Sequence, residues 1–327
     1  MSPNDPWPPT DPQQRRHLLA HLAHGYFVEG LSKVSLGKKS NLSRFQVAAL
    51  LQEARETGIV RIEIAVPLES TDAALARAVG VERLVSVGGT QWPADRQDLA
   101  RAVAREITRV LQDGDTLGIA WSRTLQFAVD HLPALPHNDV VQLAGALRTD
   151  DTTADESPRL FAGLTARSAW PLWAPLVVEQ ADSLKKSVEI EVALRRADAL
   201  DVAVLAVGHW SPGGSTVWPR VSEEVALAAA RAGAVAEVAG HLLDAHGHEL
   251  DTPVGGMIVS AGVEQLRAAR YKIAAASGAE RAPAVLAAVR GGLVNHLVCD
   301  AALRDELERL VAPHPWPAPT SFPGRTP

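Results

Sequence analysis

The sequence predicts an α/β protein in which an N-terminal winged helix-turn-helix precedes a doubly wound, mainly parallel sheet. Three observations carry this prediction. Residues 13–64 hold eight Lys and Arg against four Glu, whereas the whole chain carries a net −6. Within that basic stretch, two helical patterns flank an asparagine turn. Beyond Pro67, short apolar strands alternate with helices, the rhythm of a parallel sheet covered on both faces.

The first helix is expected over residues 13–29, stopping at Gly30, and a short second one over 32–39. Asn41 then stands where a tight turn needs a left-handed residue, which Asn tolerates better than most. A third helix opens at Ser43 with Gln46 three residues on, the spacing of a capping box. Val47, Leu50, Leu51 and Ala54 follow at i, i+3, i+4 and i+7, so one face is buried. Gly58 ends this helix. In residues 59–66, Ile62, Ile64 and Val66 alternate with Arg61 and Glu63, which reads as the strand of a wing.

In the remainder, strands are expected at 84–87, 116–120, 140–143, 202–207, 257–259, 272–275 and 296–299. Helices are expected at 95–111, 183–195, 222–232, 283–290 and 301–311. Five of the 22 prolines fall in residues 1–12 and six in 312–327, so both ends are read as disordered tails. The expected organisation is a tail at 1–12, the winged head at 13–66, the α/β body at 67–311 and a tail at 312–327. At roughly 150 residues per domain, two folded units suit this length.

The head has the chemistry of a DNA reader. The second helix of such a motif enters the major groove, and its N-terminal residues face base edges. Those residues are Ser43, Arg44, Phe45 and Gln46. Arg suits guanine O6/N7 and Gln suits adenine N6/N7, although Gln46 has a competing role as a cap. Lys38 and Lys39 end the preceding helix, where they can meet phosphate, and Arg61 lies on the wing. Double-stranded operator DNA is the expected partner.

The stretch GYFVEGLSKVSLGKKSNLSRFQVAALLQEARETGIVRIEI, residues 25–64, resembles the DNA-binding domain of the SorC family of sugar-responsive transcriptional regulators. The matching features are an aromatic pair before an acidic-Gly-Leu turn, Leu42-Ser43-Arg44 opening the recognition helix, and Glu53-Ala54-Arg55 leading into residues 58–62. The chain departs from the family at Ala48-Ala49, where a Ser-Arg pair is usual, and at Gly37 and Ser40. These departures bear on which operator is read. The resemblance continues over residues 67–311, through Gly118–Thr124, Val140–Gly145, Val207-Gly208-His209, Gly233–Glu237, Leu243–Gly247 and Arg290–Asn295.

The resemblance implies a body folded like sugar-phosphate isomerases, with the old active-site cleft binding a sugar, polyol or sugar-phosphate effector. The residues it assigns to that cleft are Trp121, Ser122, Arg123, Thr124, Gln142, Gly145, Gly208, His209, Glu237, Asp244 and Arg281. Independently of the family, Ser122, Arg123 and Thr124 between a strand and a helix suit an anion such as phosphate. Glu237 would accept from sugar hydroxyls. Arg281 replaces a family Lys and cannot be deprotonated, which disfavours amine chemistry there. His209 replaces a Gly and is expected to narrow the pocket floor. Trp121, Trp210 and Trp218 fall at or near the expected pocket loops and offer flat rings to a sugar.

Other classes lack support. No GxGxxG, P-loop or GxSxG stands in the chain, so no cofactor is expected. His241, Asp244, His246 and His248 match no common zinc spacing, and no metal is expected. No apolar run is long enough to span a bilayer, the first residues lack a secretion signal, and Cys299 is a lone thiol. The expected product is a cytoplasmic, homodimeric or homotetrameric regulator rather than an enzyme. The alternative is an isomerase or deaminase carrying a DNA-binding head, with Glu237 and His209 as its acid–base groups. A third reading is an architectural DNA-binding protein that has lost its ligand.

Overall fold

The computed structural model describes residues 11–60, 69–88, 94–147 and 164–312. The chain divides into two compact units at Val66/Pro67.

In the first unit, α1 (Pro12–Phe27), α2 (Lys33–Ser40) and α3 (Arg44–Glu56) are each opened by a side-chain cap, from Asp11, Ser32 and Ser43. Asn41 takes the left-handed conformation at φ 53°. Leu19, Leu22, Leu36, Val47, Leu50, Leu51 and Ala54 form the core, with Ile59 and Val60 packed against it. Arg15 on α1 grips Glu53 on α3 at 2.6 Å. Asp11 and Pro12, read from sequence as tail, belong to α1 because Asp11 accepts from the Gln14 N–H. Residues 1–10 and 313–327, and residues 61–66 of the wing strand expected at 59–66, lie outside the described residues, while Ile59 and Val60 are not in a strand.

Among the described residues the second unit is built on a ten-stranded sheet. Its strands are β1 (Glu69–Thr71), β2 (Arg83–Val87), β3 (Thr116–Ile119), β4 (Leu135–Gln142), β5 (Ala166–Trp170), β6 (Val202–His209), β7 (Ala236–Val238), β8 (His241–Leu243), β9 (Tyr271–Ala276) and β10 (His296–Asp300). The main path runs β1-β2-β10-β9-β6-β3-β4-β5. All its pairings are parallel except β1 with β2. Val202, Ala203, Val204 and Leu205 in β6 are buried in succession, as a strand covered on both faces requires. The main helices of this unit are α4 (Ala73–Val79), α5 (Arg96–Val110), α6 (Arg123–Val129), α7 (Ala181–Lys185), α8 (Val188–Arg195), α9 (Glu223–Arg231), α10 (Val263–Ala268), α11 (Ala282–Arg290) and α12 (Ala301–Val311).

Several expectations are corrected. The predicted strand at 257–259 is a 3₁₀ turn over Gly255–Met257 followed by isolated bridges, Ile258 with Val177 and Ser260 with Ala144. Met257 closes the 3₁₀ turn by donating its N–H to the Val254 carbonyl, which takes the start of the run out of extended geometry. The predicted helix at 183–195 breaks into α7 and α8, because the Ser187 hydroxyl donates to the Leu184 carbonyl and ends the first piece. The sequence reading also missed β1, β5 and the β7–β8 hairpin.

Chain order sets where a ligand can sit. From β3 the chain passes through α6 to β4 and β5 on one side, then returns to lay β6 on the other side of β3. Neighbouring strands whose connections leave in opposite directions open a crevice at their carboxyl ends.

Candidate functional site

That crevice is a cleft of about 160 Å³. Ala120–Thr124 after β3, Ala206–Gly208 at the end of β6 and Ala275–Ser277 at the end of β9 line it, with Glu237 and Arg281. Ser122 opens α6 by accepting from the Leu125 N–H at 3.1 Å. The next residue, Arg123, is exposed and meets no carboxylate among the described residues. Arg281 donates to the Ser277 carbonyl at 2.6 Å and to Glu280 at 2.5 Å.

Glu237 is buried on β7, in register with Gly208 of β6. Its Oε1 accepts from the Gly240 N–H at 2.9 Å, and its Oε2 accepts from the hydroxyls of Ser215 at 3.1 Å and Thr216 at 3.3 Å. A Cβ at position 208 would lie 3.0 Å from the Gly214 carbonyl and 3.4 Å from Glu237 Oε2, so glycine there lets the carboxylate approach the strand end. The cleft thus presents a guanidinium with no carboxylate partner among the described residues, an anchored carboxylate and the buried indole of Trp121. A carboxylate with lone pairs to spare suits hydroxyls, and a guanidinium suits an anionic group.

Seven residues singled out in the sequence therefore line the cleft: Trp121, Ser122, Arg123, Thr124, Gly208, Glu237 and Arg281. Gln142, Gly145, His209 and Asp244 do not, and their side chains or backbones do structural work instead. Gln142 is buried, donating to the Ala144 carbonyl and accepting from the Leu172 N–H. Gly145 donates to the Val259 carbonyl and packs on the Pro175 backbone. The His209 ring folds over Gly214 with Nε2 2.6 Å from the Ser211 hydroxyl, so it does not narrow the floor. Burial and the nearby Arg281 charge push its pKa down, which keeps it neutral. Asp244 closes a turn by accepting from the N–H groups of His246 and His248. Trp210 is likewise structural, donating to the Ala226 carbonyl and packing against Trp218 at 5.0 Å. His241 faces Glu249 and the Ala261 carbonyl, whereas His248 faces Asp244 and its ring lies 6.1 Å from that of His246.

The cleft also holds residues that sequence reading missed, notably Arg96, Thr216 and Ser277. The Asp95–Asp98 capping box at the start of α5 was the available signal for Arg96, which it places at the first helical position.

In the first unit, Lys38, Lys39, Ser43, Arg44, Phe45 and Gln46 are all exposed around the α2–α3 turn, whereas Arg61 lies outside the described residues. The predicted capping box is present in both directions, so Gln46 Oε1 is held by the Ser43 N–H.

Residues 68–307 match the family described as "Putative sugar-binding domain". The chain is 29% identical over 315 residues to the uncharacterized transcriptional regulator YjhU of Escherichia coli K12, covering 90% of this chain and 95% of that one. It is 25% identical over 297 residues to the transcriptional regulator LsrR of Enterobacter sp. strain 638, covering 86% and 90%. Its fold is similar to that of the full-length sorbitol operon regulator SorC from Klebsiella pneumoniae, with a TM-score of 0.66 at 20% identity over 89% of this chain and 98% of that one. No helix among the described residues is long and apolar enough to cross a membrane. With the matched region spanning most of the chain behind a capped helix-turn-helix, the chain belongs to the SorC family of sugar-binding transcriptional regulators.

Proposed function

We propose that this protein is a DNA-binding transcriptional regulator of carbohydrate or polyol metabolism, controlled by a sugar, polyol or sugar phosphate in the β3/β6 cleft. The observation that carries the reading is the exposed Arg123 guanidinium, which meets no carboxylate among the described residues, in one cleft with the anchored Glu237 carboxylate. The first takes a phosphate or other anion, and the second takes hydroxyls. Trp121 supplies apolar surface for the CH face of a sugar. The relatives' names as transcriptional regulators favour regulation over turnover. Arg281, always protonated, offers no amine for a Schiff base.

The protein acts as a homodimer or homotetramer in the cytoplasm. The effector changes operator affinity by binding more tightly to one arrangement of subunits than to another. The test is fluorescence anisotropy of the full chain on DNA from upstream of its own gene, against scrambled DNA at fixed salt, with a panel of sugars, polyols and their phosphates. Specific binding that one compound releases or enhances is the expected result. No preference over scrambled DNA, together with turnover of a sugar phosphate that Glu237→Gln abolishes, would overturn it in favour of an enzyme.

A further inference from the structure

The head of α3 has already used part of its polar chemistry. Gln46 reads adenine only if its oxygen accepts from N6 while its amide donates to N7. Here that oxygen is held at 2.9 Å by the Ser43 N–H, and the Ser43 hydroxyl accepts from the Gln46 N–H at 3.1 Å. The capping box therefore takes one of the two lone pairs of the Gln46 oxygen and ties that oxygen to its own backbone, away from the geometry of a bidentate adenine contact.

What remains at the tip is a different pair. The Arg44 guanidinium lies 4.6 Å over the ring of Phe45, and Phe45 is 70% exposed. Arg44 meets no carboxylate among the described residues, so its fork is free. Stacking on a ring holds a guanidinium in place without occupying its N–H groups. The apolar feature that a major groove offers to a ring is the 5-methyl group of thymine.

We propose that Arg44 and Phe45 act as one reading unit for a guanine beside a thymine. The guanidinium donates to guanine O6 and N7 while the Phe45 ring covers the neighbouring thymine methyl. This rests on the DNA-binding reading above and adds the base step that the helix selects.

The test is selection of the full chain on a randomised duplex pool, followed by anisotropy on an enriched duplex whose thymines are replaced one at a time by deoxyuridine. That replacement removes a methyl group and nothing else. The expected result is an enriched guanine–thymine step at which deoxyuridine weakens binding roughly fourfold, the worth of one buried methyl group. Phe45→Ala, at an exposed position, loses the distinction between thymine and deoxyuridine and weakens, without abolishing, the preference for the guanine that Arg44 still contacts. Enriched sites indifferent to deoxyuridine, or sites without that step, would overturn the proposal and leave DNA binding intact. Failure to enrich any sequence would overturn both.

Discussion

Glu106 on α5 and His296 at the start of β10, 190 residues apart in the chain, meet through a 2.6 Å contact between Oε1 and Nδ1. Both side chains are almost wholly buried. Arg109 adds hydrogen bonds of 2.7 and 3.0 Å to the same carboxylate, and Arg83 adds one of 3.1 Å. The network ties α5 to the amino ends of β10 and β2, the end of the sheet away from the cleft.

This network predicts acid sensitivity. Burial pushes the Glu106 pKa up, but the hydrogen bonds from His296 and Arg109 and the charges of Arg109 and Arg83 more than reverse it, bringing it to about 2. A folded pKa below the unfolded one stabilises the protein above about pH 4.5, and that contribution is lost as pH falls toward 2. Its size is on the order of 3 kcal/mol. Denaturant midpoints measured from pH 7 to pH 2.5 should fall less steeply for Glu106→Gln than for the natural protein, from a lower starting value. Parallel curves would show that Glu106 is not the group responsible.

Much of the frame was legible because its signals are local. The apolar run of β6, the Ser43–Gln46 capping box and Asn41 each speak through neighbours a few residues away. The Glu106–His296 contact has no such signal, since nothing in a sequence pairs a glutamate on a helix with a histidine nearly two hundred residues later. The same limit explains Gln142 and Gly145. A motif placed them beside the cleft, but the polar groups that claim them come from residues 172 and 259. The β7–β8 hairpin was missed because two three-residue strands are too short to show a period, so Glu237 was named without the hairpin that holds it.

Gly37 is a departure from the family that the packing explains. A Cβ there would sit 2.4 Å from the Leu42 carbonyl oxygen, which belongs to the backbone and cannot swing aside. That same carbonyl region follows the Asn41 turn and sets the entry of α3. Gly37→Ala should destabilise the head by about 1–3 kcal/mol, as overpacking does. Seven of the eight tryptophans lie beyond residue 66, so their fluorescence reports the body alone. The variant is expected to lose DNA binding while the tryptophan unfolding transition stays where it was. Unchanged DNA affinity would mean that the turn can relax.

Arg123 and Arg96 both line the cleft, and neither meets a carboxylate among the described residues. Removing either should leave folding and effector-free DNA affinity near normal, because no carboxylate among the described residues is orphaned. A charged hydrogen bond contributes about 1.5–3 kcal/mol, so Arg123→Ala should raise the effector concentration for half-response by roughly tenfold to a hundredfold. Anisotropy titrations with a phosphorylated and an unphosphorylated form of the effector would separate charge from shape. A larger loss for the phosphorylated form is expected, and equal losses would show that Arg123 does not hold phosphate.

Glu237 calls for a subtler substitution, because it supports the fold as well as facing the cleft. Removing its side chain would strand the Gly240 N–H, which is bonded at 2.9 Å inside the hairpin turn. Glu237→Gln keeps one oxygen for that N–H and turns the other position into an amide that can donate to the Thr216 hydroxyl, now 3.3 Å away, at the cost of the bond that the buried Ser215 hydroxyl donates to Oε2 at 3.1 Å. The hairpin should therefore survive, and effector-free DNA binding with it. What the amide cannot do is accept from sugar hydroxyls as a charged carboxylate does. The half-response concentration should rise at least about tenfold for a polyhydroxylated effector, since bonds to a charged acceptor are the stronger kind. The measurement is the same titration, run beside a thermal melt to confirm that the body is intact. A variant that melts normally and responds at the original concentration would remove Glu237 from the binding surface and leave it as a purely internal anchor.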